Sequence, residues 1–375
     1  MKIRAAVIRQ SGLPEPYASS RPLSIEEVEL APPGEREVLV QVKAAGLCHS
    51  DLSTINGNRP RQTPMVLGHE AAGVVRALGP GVTDLAEDDH VVMVFAPSCG
   101  ECMPCKEGFP ARCERGQAAN NAGTLIGGHV RLSQGGAAVY HHVGVSAFAE
   151  YCVVNRGSVV KIDPALPFDE AAVFGCAVLT GVGAALNTAR VFAGASVAVV
   201  GLGGVGLNAL LGAAVAGASR IVAIDLHDDK LELASQLGAT DVINAKDPDA
   251  VAKAKALTGG GVDFGFEMAG SVQAMEMAYR VTRRGGTTVT AGLPHPDARW
   301  PLQHVNLTAE ERTVKGSYMG SCVPPRDLPR YVDLYRRGKL PVNRLMSDHL
   351  PLERINEGFD ALASGHTVRQ IVMFD

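Results

Sequence analysis

The feature of this sequence that most constrains its fold is an apolar strand that runs directly into a glycine-rich turn. The strand is Ser196–Val200, an apolar helix follows the turn, and the turn itself reads Gly201-Leu202-Gly203-Gly204-Val205-Gly206. In this strand-then-helix context the G-x-G-x-x-G pattern indicates a dinucleotide-binding fold. One glycine makes the turn, one lets the backbone approach the pyrophosphate, and one lets the helix pack closely on the strand.

Strands and helix-length segments alternate around this turn, from about 178 to 318. Such alternation is typical of βαβ units around a parallel sheet. The next strand, Arg220–Asp225, ends in a carboxylate nineteen residues after Gly206. A carboxylate there accepts hydrogen bonds from the adenosine ribose and repels a 2′-phosphate, which favours NAD over NADP. The alternative interpretation is a plain glycine turn with a capping aspartate.

A second strong pattern is a loop with four cysteines at the spacing C-x2-C-x2-C-x7-C, namely Cys99, Cys102, Cys105 and Cys113. Four thiolates so close together can meet around one tetrahedral Zn²⁺. Such an ion has no open position for water or substrate, so it would stabilise the loop and take no part in chemistry. A pair of disulfides is the alternative, but a chain of this size does not need such bridges.

Composition narrows the functional classes. The chain has 375 residues, and with about 100–200 residues per domain we expect two or three domains. The formal net charge of −4, without a basic block, argues against nucleic acid as a partner. We expect no membrane segment, because no apolar run reaches about 18 residues, and no signal peptide at the start. The protein is therefore expected to be cytoplasmic, with its eight cysteines reduced.

The pattern divides the chain into three segments. Residues 1–177 contain short strand-like runs separated by Pro and Gly, as in irregular β structure. Residues 178–318 carry the βαβ pattern. Residues 319–375 contain two amphipathic helices, near Asp327–Arg337 and Leu352–Ser364, and a final strand at Gln370–Phe374.

Further metal-ligating residues occur in three short motifs of the first segment. The motifs are Cys48-His49-Ser50-Asp51, Gly68-His69-Glu70 and Gly175-Cys176. Cys48, His69 and Cys176 supply two thiolates and one imidazole, a ligand group typical of a catalytic zinc with a fourth, open position. Taken singly, each residue is more often a core cysteine or an ordinary hydrogen-bonded histidine.

Together with the four-cysteine loop, the glycine turn, Thr180-Gly181 and Arg369, these motifs resemble the zinc-dependent medium-chain alcohol dehydrogenases almost from end to end. The resemblance implies an α/β fold: a Rossmann domain with a doubly wound parallel sheet, and a GroES-like irregular β-barrel catalytic domain to which 319–375 returns. It implies two Zn²⁺ per subunit, one catalytic and one structural, and NAD. The length of the run from Cys113 to Ala147 resembles the dimeric branch, so a homodimer formed by sheet-edge pairing is expected.

The activity implied by the resemblance is reversible oxidation of a primary alcohol to an aldehyde, by hydride transfer from a zinc-bound alkoxide to NAD⁺. Two thiolates and a neutral imidazole leave the zinc site without net charge, and therefore Lewis acidic. Ser50 matches the hydroxyl that takes the alcohol proton, and Asp51 the carboxylate that orients His69. Glu70 matches a buried acid that helps ligand exchange; a structural ion pair is the alternative for this residue.

Cofactor and substrate contacts follow from matched positions. His49 and Arg369 match pyrophosphate-binding positions, Lys230 matches a ribose-binding one, and Thr180 and Leu293 match other cofactor contacts. The substrate pocket would be lined by Phe95, His142, Val143, Leu293 and Tyr318. His142 is either a polar contact to the substrate or a histidine packed on the rim of the cleft. This mostly apolar wall favours an alcohol with a medium apolar, allylic or aromatic tail.

Three alternatives remain open. The Cys48-His49 pair resembles the glutathione-dependent S-hydroxymethyl (formaldehyde) dehydrogenases, but Gln117 lies where that branch tends to carry an arginine, and the loop 56–61 lacks acids. A zinc-free reductase should lack the metal ligands, yet all seven are present. A non-catalytic dinucleotide-binding relative should lack Ser50 or a zinc ligand.

Leu52, Ser53 and Thr54 occupy the stretch where many relatives carry a proton-relay histidine.

Overall fold

A computed structural model describes residues 1–365 and 367–375, and these form two compact units. Unit 1 contains Met1–Cys176, Val323–Arg330 and Met346–Asp375. Unit 2 contains Ala177–Cys322 and Tyr331–Leu345. The expected boundary at 177 thus lies next to the observed one.

The expected third segment, 319–375, does not stay together, because residues 319–322 and 331–345 belong to unit 2. Contacts within unit 2 explain the difference. Asn187 donates a hydrogen bond to the hydroxyl of Tyr331 (3.3 Å), and Arg344 donates to the carbonyl of Gln236 (3.1 Å). Such contacts between distant parts of the chain leave no mark in the local hydrophobic pattern, so the sequence does not indicate that these residues belong to unit 2.

The regular elements are numbered here in chain order. The strands are β1 (Lys2–Ile8), β2 (Leu23–Leu30), β3 (Glu37–Gly46), β4 (Met65–Val66), β5 (Ala71–Leu78), β6 (His90–Met93), β7 (Leu132–Gln134), β8 (Ala137–His141), β9 (Tyr151–Asn155), β10 (Val159–Lys161), β11 (Ser196–Val200), β12 (Arg220–Asp225), β13 (Asp241–Asn244), β14 (Val262–Glu267), β15 (Thr282–Thr290), β16 (Thr313–Gly316), β17 (Met346–Pro351) and β18 (Arg369–Met373). The helices are α1 (Tyr17–Ser20), α2 (His49–Ile55), α3 (Met103–Lys106), α4 (Glu114–Ala122), α5 (Phe168–Ala172), α6 (Ala177–Gly183), α7 (Gly204–Val215), α8 (Asp228–Gln236), α9 (Ala250–Leu257), α10 (Val272–Val281), α11 (Val305–Ala309), α12 (Pro324–Arg336) and α13 (Ile355–Ala363).

Unit 1 is built from a small barrel and a second, mostly antiparallel sheet. The barrel closes in the order β1-β2-β7-β8-β4, and the sheet runs β10-β6-β5-β3-β18-β17, with β9 also paired to β3. Strand β3 shows why these residues form strands: Val38, Val40 and Val42 are fully buried, while the residues between them are only half-buried. This period of two places alternate side chains in one core. The prediction of an irregular β-barrel domain is confirmed.

Unit 2 contains a parallel sheet with the order β13-β12-β11-β14-β15-β16. Numbered within the unit, this is 3-2-1-4-5-6, the order of the doubly wound dinucleotide-binding fold. Its central strands are covered on both faces, so they are nearly continuous apolar runs; Val197–Val200 is buried throughout. The chain order reverses between β11 and β14, and ligands of such sheets bind at the carboxyl ends of the strands at that point. The predicted Rossmann fold is confirmed.

Among the described residues, no single helix is both long and apolar enough to cross a membrane. The bent helix pair 168–175 and 177–189 reaches the required length and apolar composition only when its two members are taken together.

Candidate metal and dinucleotide sites

Three loop or element-end positions of unit 1 bring Cys48, His69 and Cys176 together. Cys48 lies between the end of β3 and the start of α2, His69 follows β4, and Cys176 ends the turn after α5. The candidate ligand atoms of the three residues all lie within 4.8 Å of one another, and all three side chains are buried. We call this group the open triad, because it offers three ligands where zinc takes four.

The protonation of the open triad suits a cation. The Cys176 thiol donates to Cys48, and this hydrogen bond holds the pKa of Cys48 well below its ordinary value. Burial lowers the pKa of His69, but the charges of Asp51 and Cys48 outweigh burial and raise it well above the usual value. The open triad thus gathers buried negative charge from Asp51 and Cys48 around one point. Zn²⁺ fits this group, because metal ions bind such ligands by displacing their protons.

Asp51 fixes the ring of His69. Nδ1 of His69 lies 3.1 Å from both carboxylate oxygens of Asp51, and the backbone N–H of Gly68 donates to Oδ1 (3.1 Å). A ring whose Nδ1 is held by a carboxylate presents Nε2 to a metal, and such a partner sets both tautomer and orientation. The side chain of Asp51 is fully buried, so this contact is sheltered from water.

A buried ion pair lies beside the open triad. Nη1 of Arg369 lies 3.4 Å from Oε2 of Glu70, and it donates to the carbonyl of Leu47 (2.7 Å). Burial raises the pKa of Glu70 to about 7, although the guanidinium of Arg369 opposes the rise. The alternative of a structural ion pair for Glu70 therefore has direct geometric support. The sequence places Arg369 at the pyrophosphate, and the structure adds a contact with Glu70 that the sequence does not predict.

The four-cysteine loop also forms a compact group. The sulfur atoms of Cys99, Cys102, Cys105 and Cys113 all lie within 4.8 Å of one another. Backbone N–H groups point at them: those of Glu101 and Cys102 donate to Cys99 (3.4 and 3.3 Å), and that of Gly116 donates to Cys113 (3.3 Å). Backbone donors aimed at sulfur would stabilise the thiolates of a bound metal. The loop therefore fits a closed zinc site, and all its cysteines are free thiols.

The glycine turn of unit 2 has the geometry that its sequence predicts. Gly201 has φ +93°, a left-handed value that favours glycine, and a Cβ on Gly206 would lie 1.8 Å from the carbonyl oxygen of Gly201. A Cβ on Gly203, by contrast, would meet no protein atom within 4 Å. Packing of the protein therefore does not require a glycine at 203. A phosphate bound at the N-terminus of α7 would require one, because the phosphate must approach the backbone closely. A dinucleotide fits the turn.

Three further predicted cofactor contacts of unit 2 are Asp225, Lys230 and Thr180. Asp225 ends β12, and its carboxylate accepts from the backbone N–H groups of Leu202 (2.6 Å) and His227 (3.1 Å). Lys230 is buried in α8, and Thr180 is buried in α6 with a hydroxyl that has no hydrogen-bond partner among the described residues. Asp225 thus connects the glycine turn to the loop that would receive the adenosine ribose.

We predict that Asp225→Gly lowers the selectivity for NAD over NADP, measured as a ratio of kcat/KM values, by about tenfold or more, because it removes a charge that repels the 2′-phosphate. Asp225→Asn is the matched control, since its amide oxygen can still accept from Leu202 while the charge is gone. Both variants should therefore lose selectivity, and only the glycine variant should also loosen the turn. Unchanged selectivity in both would remove Asp225 from this role.

The other predicted site residues are distributed over both units. In unit 1, His49 is exposed and Ser50 half-buried at the start of α2, and the ring of Phe95 meets that of His69 edge-on at 5.6 Å between centroids. Val143 is half-buried in the same unit. In unit 2, Leu293 and Tyr318 are each 47% exposed.

Comparisons with known proteins match the whole chain. The family "Alcohol dehydrogenase GroES-like domain" matches residues 34–164, and "Zinc-binding dehydrogenase" matches residues 204–337. The chain is 40% identical over 365 residues to Alcohol dehydrogenase 1 of Oryza sativa subsp. indica, covering 96% of each, and 40% identical over 381 residues to Alcohol dehydrogenase 1 of Hordeum vulgare, covering 100% of this chain and 98% of the relative. Among solved structures, benzyl alcohol dehydrogenase from Acinetobacter calcoaceticus has a TM-score of 0.93 at 34% identity, with 100% of both chains covered.

Proposed function

Since the chain belongs to the zinc-dependent medium-chain alcohol dehydrogenases, we propose that it oxidises primary alcohols with an apolar, allylic or aromatic tail, reversibly, to aldehydes with NAD⁺. The observation that carries this proposal is the open triad, Cys48, His69 and Cys176, buried beside Asp51 and Glu70. Three ligands of this kind leave one position for a substrate oxygen, which a purely structural site does not offer.

The open triad would hold the catalytic ion, and its neighbours would support the reaction. When bound, Zn²⁺ supplies a Lewis acid that lowers the pKa of a hydroxyl group, and NAD⁺ supplies the hydride acceptor. Asp51 keeps the Nδ1 side of His69 occupied, so the ring cannot turn away. Ser50, two residues after Cys48 in the first turn of α2, takes the proton that the alcohol loses.

We further propose two zinc ions per chain and NAD rather than NADP. The four-cysteine loop supports the second ion, because four sulfur atoms fill a tetrahedral shell. The carboxylate of Asp225 at the end of β12 supports NAD, since it would lie where NADP carries a phosphate.

The preference for an aromatic or allylic tail has two supports. The ring of Phe95 contacts that of His69 edge-on, so an aromatic wall lies next to a metal ligand. A protein that is similar over its full length is named benzyl alcohol dehydrogenase. An aromatic tail against such a wall gains area burial and an edge-to-face contact.

A homodimer formed through β16 is proposed as the assembly. This strand ends the sheet of unit 2, and Thr313, Lys315 and Gly316 on it are exposed. An exposed sheet edge is a template for pairing with a second strand. Light scattering should give twice the chain mass, and the mass of a single chain would contradict this assembly.

The test is a panel of alcohols and aldehydes with NAD⁺ and NADH, with and without glutathione, on protein whose zinc content is measured. We expect about two zinc per chain and the highest kcat/KM on aromatic or allylic primary alcohols without glutathione. Formaldehyde oxidation that requires glutathione would favour the glutathione-dependent alternative instead. A preparation with two zinc per chain and no turnover of any alcohol would contradict the proposed function.

A further inference from the structure

A second imidazole lies against the carboxylate that orients His69. Nδ1 of His142 is 3.2 Å from Oδ1 of Asp51, and the rings of His142 and His69 meet edge-on at 5.6 Å between centroids. All three side chains are buried. Within the part of the chain that the structure describes, Nδ1 of His142 is a buried polar atom without a well-aligned hydrogen bond, and Oδ1 of Asp51 is the carboxylate oxygen that lies next to it. One carboxylate therefore lies against two imidazole rings.

The loop that carries His142 is held in an unfavourable backbone conformation. Strand β8 ends at His141, and the loop then contains Val143 at φ 42° and Ser146 at φ 58°. A β-branched residue at positive φ is strained, and such strain persists only where the surrounding structure imposes it. Here the backbone N–H of His142 donates to the Ser146 hydroxyl (2.8 Å), and that of Val145 donates to the His142 carbonyl (3.0 Å).

Both ends of this loop are attached to the segment that leads to His69. Before the loop, β8 pairs with β4, with Tyr140 opposite Met65 and His141 opposite Val66. After the loop, the backbone N–H groups of Ala147 and Phe148 donate to the carbonyls of Gly68 and Leu67, each at 3.0 Å. The two histidines therefore lie on paired segments, which fixes the position of one relative to the other.

We propose that His142 is a positioning residue for the zinc ligand His69: its Nδ1–H donates to Asp51 and fixes the carboxylate that holds the His69 ring. The proposal rests on the proposed function, since it concerns the ion that the open triad would bind. The geometry supports it, because the same buried carboxylate lies 3.1 Å from Nδ1 of His69 and 3.2 Å from Nδ1 of His142.

The test compares variants of His142 that separate the donor from the ring. His142→Asn keeps an N–H near the Nδ1 position, His142→Phe keeps the ring without a donor, and His142→Gln moves the donor further along the side chain. We expect the phenylalanine and glutamine variants to release the catalytic zinc to a chelator about tenfold faster than the wild type, with the asparagine variant close to the wild type. With Co²⁺ in place of zinc, the same two variants should shift the visible absorption bands.

Two controls accompany this series. His141→Gln changes the neighbouring buried histidine, whose Nε2 accepts from the backbone N–H of Arg131 (3.0 Å) away from Asp51, and it should leave zinc release unchanged. The zinc of the four-cysteine loop should be released at one rate in every variant.

Each outcome has a distinct meaning. If all three His142 variants release zinc at the wild-type rate and only KM for the alcohol changes, His142 is a pocket residue and the inference is overturned. Loss of zinc in the asparagine variant as well would assign the effect to packing and overturn the inference too. A wild-type protein with no zinc in the open triad would instead overturn the proposed function, before His142 is considered.

Discussion

Cys48→Ala is expected to lower the kcat/KM for alcohol oxidation by about a thousandfold or more, while NADH binding stays close to that of the wild type. The variant removes one of the three ligands of the open triad, and it leaves Cys176 without the sulfur to which its thiol donates. A Lewis acid contributes several kcal/mol to such a reaction, and about 1.4 kcal/mol corresponds to a factor of ten in rate. NADH binding survives because the glycine turn belongs to unit 2.

The measurement combines steady-state kinetics, zinc analysis and NADH fluorescence titration. Zinc should fall from about two to about one per chain, since the four-cysteine loop is untouched. Cys152→Ala is the matched control. Cys152 lies on β9 of the same unit, its thiol is buried, and its sulfur atom is 3.4 Å from that of Met93. It belongs neither to the open triad nor to the four-cysteine loop. The control variant should keep its zinc and its activity. Substantial turnover by Cys48→Ala would contradict the assigned role, and loss of NADH binding would indicate misfolding.

Features encoded by short spacings could be predicted from the sequence. The strand-turn-helix around Gly201 encodes the dinucleotide fold locally, because its glycines are required by a positive φ and by contact between backbone atoms. The four-cysteine loop encodes its own cluster, since fifteen residues, 99–113, contain all its sulfur atoms. The open triad is spread over more of the chain, and its prediction depended on a resemblance to a family as well as on the chemistry of its ligands.

Contacts between distant side chains could not be predicted. The pairing of Arg369 with Glu70 and the approach of His142 to Asp51 join residues far apart in sequence, and neither leaves a periodic pattern. The resemblance matches His142 to a position in the substrate pocket, and nothing in the sequence pattern indicates its approach to Asp51 or the strained turn at Val143. The division of 319–375 between the units has the same cause, since it depends on contacts such as that of Tyr331 with Asn187.

Cys99→Ser is expected to remove the second zinc and to lower the Tm by roughly 5–10 °C, because structural zinc contributes folding free energy directly. The loop brings little apolar surface into a core, because α3 has four residues, none of them buried, and Met103 and Phe109 are 63% and 40% exposed. Cys99 is also the sulfur to which two backbone N–H groups donate.

Calorimetry with zinc analysis checks this, with Cys152→Ala again as the control. Protons compete with zinc for the sulfur atoms, so the wild type should lose its advantage over Cys99→Ser as the pH falls, and the two Tm values should converge in acid. If the variant lacks one zinc per chain and its Tm at neutral pH equals that of the wild type, the ion does not stabilise the fold. Cys48→Ala in the open triad should show the opposite pattern to Cys99→Ser, with a much larger effect on activity than on Tm. This contrast distinguishes a site that stabilises a loop from one that takes part in the reaction.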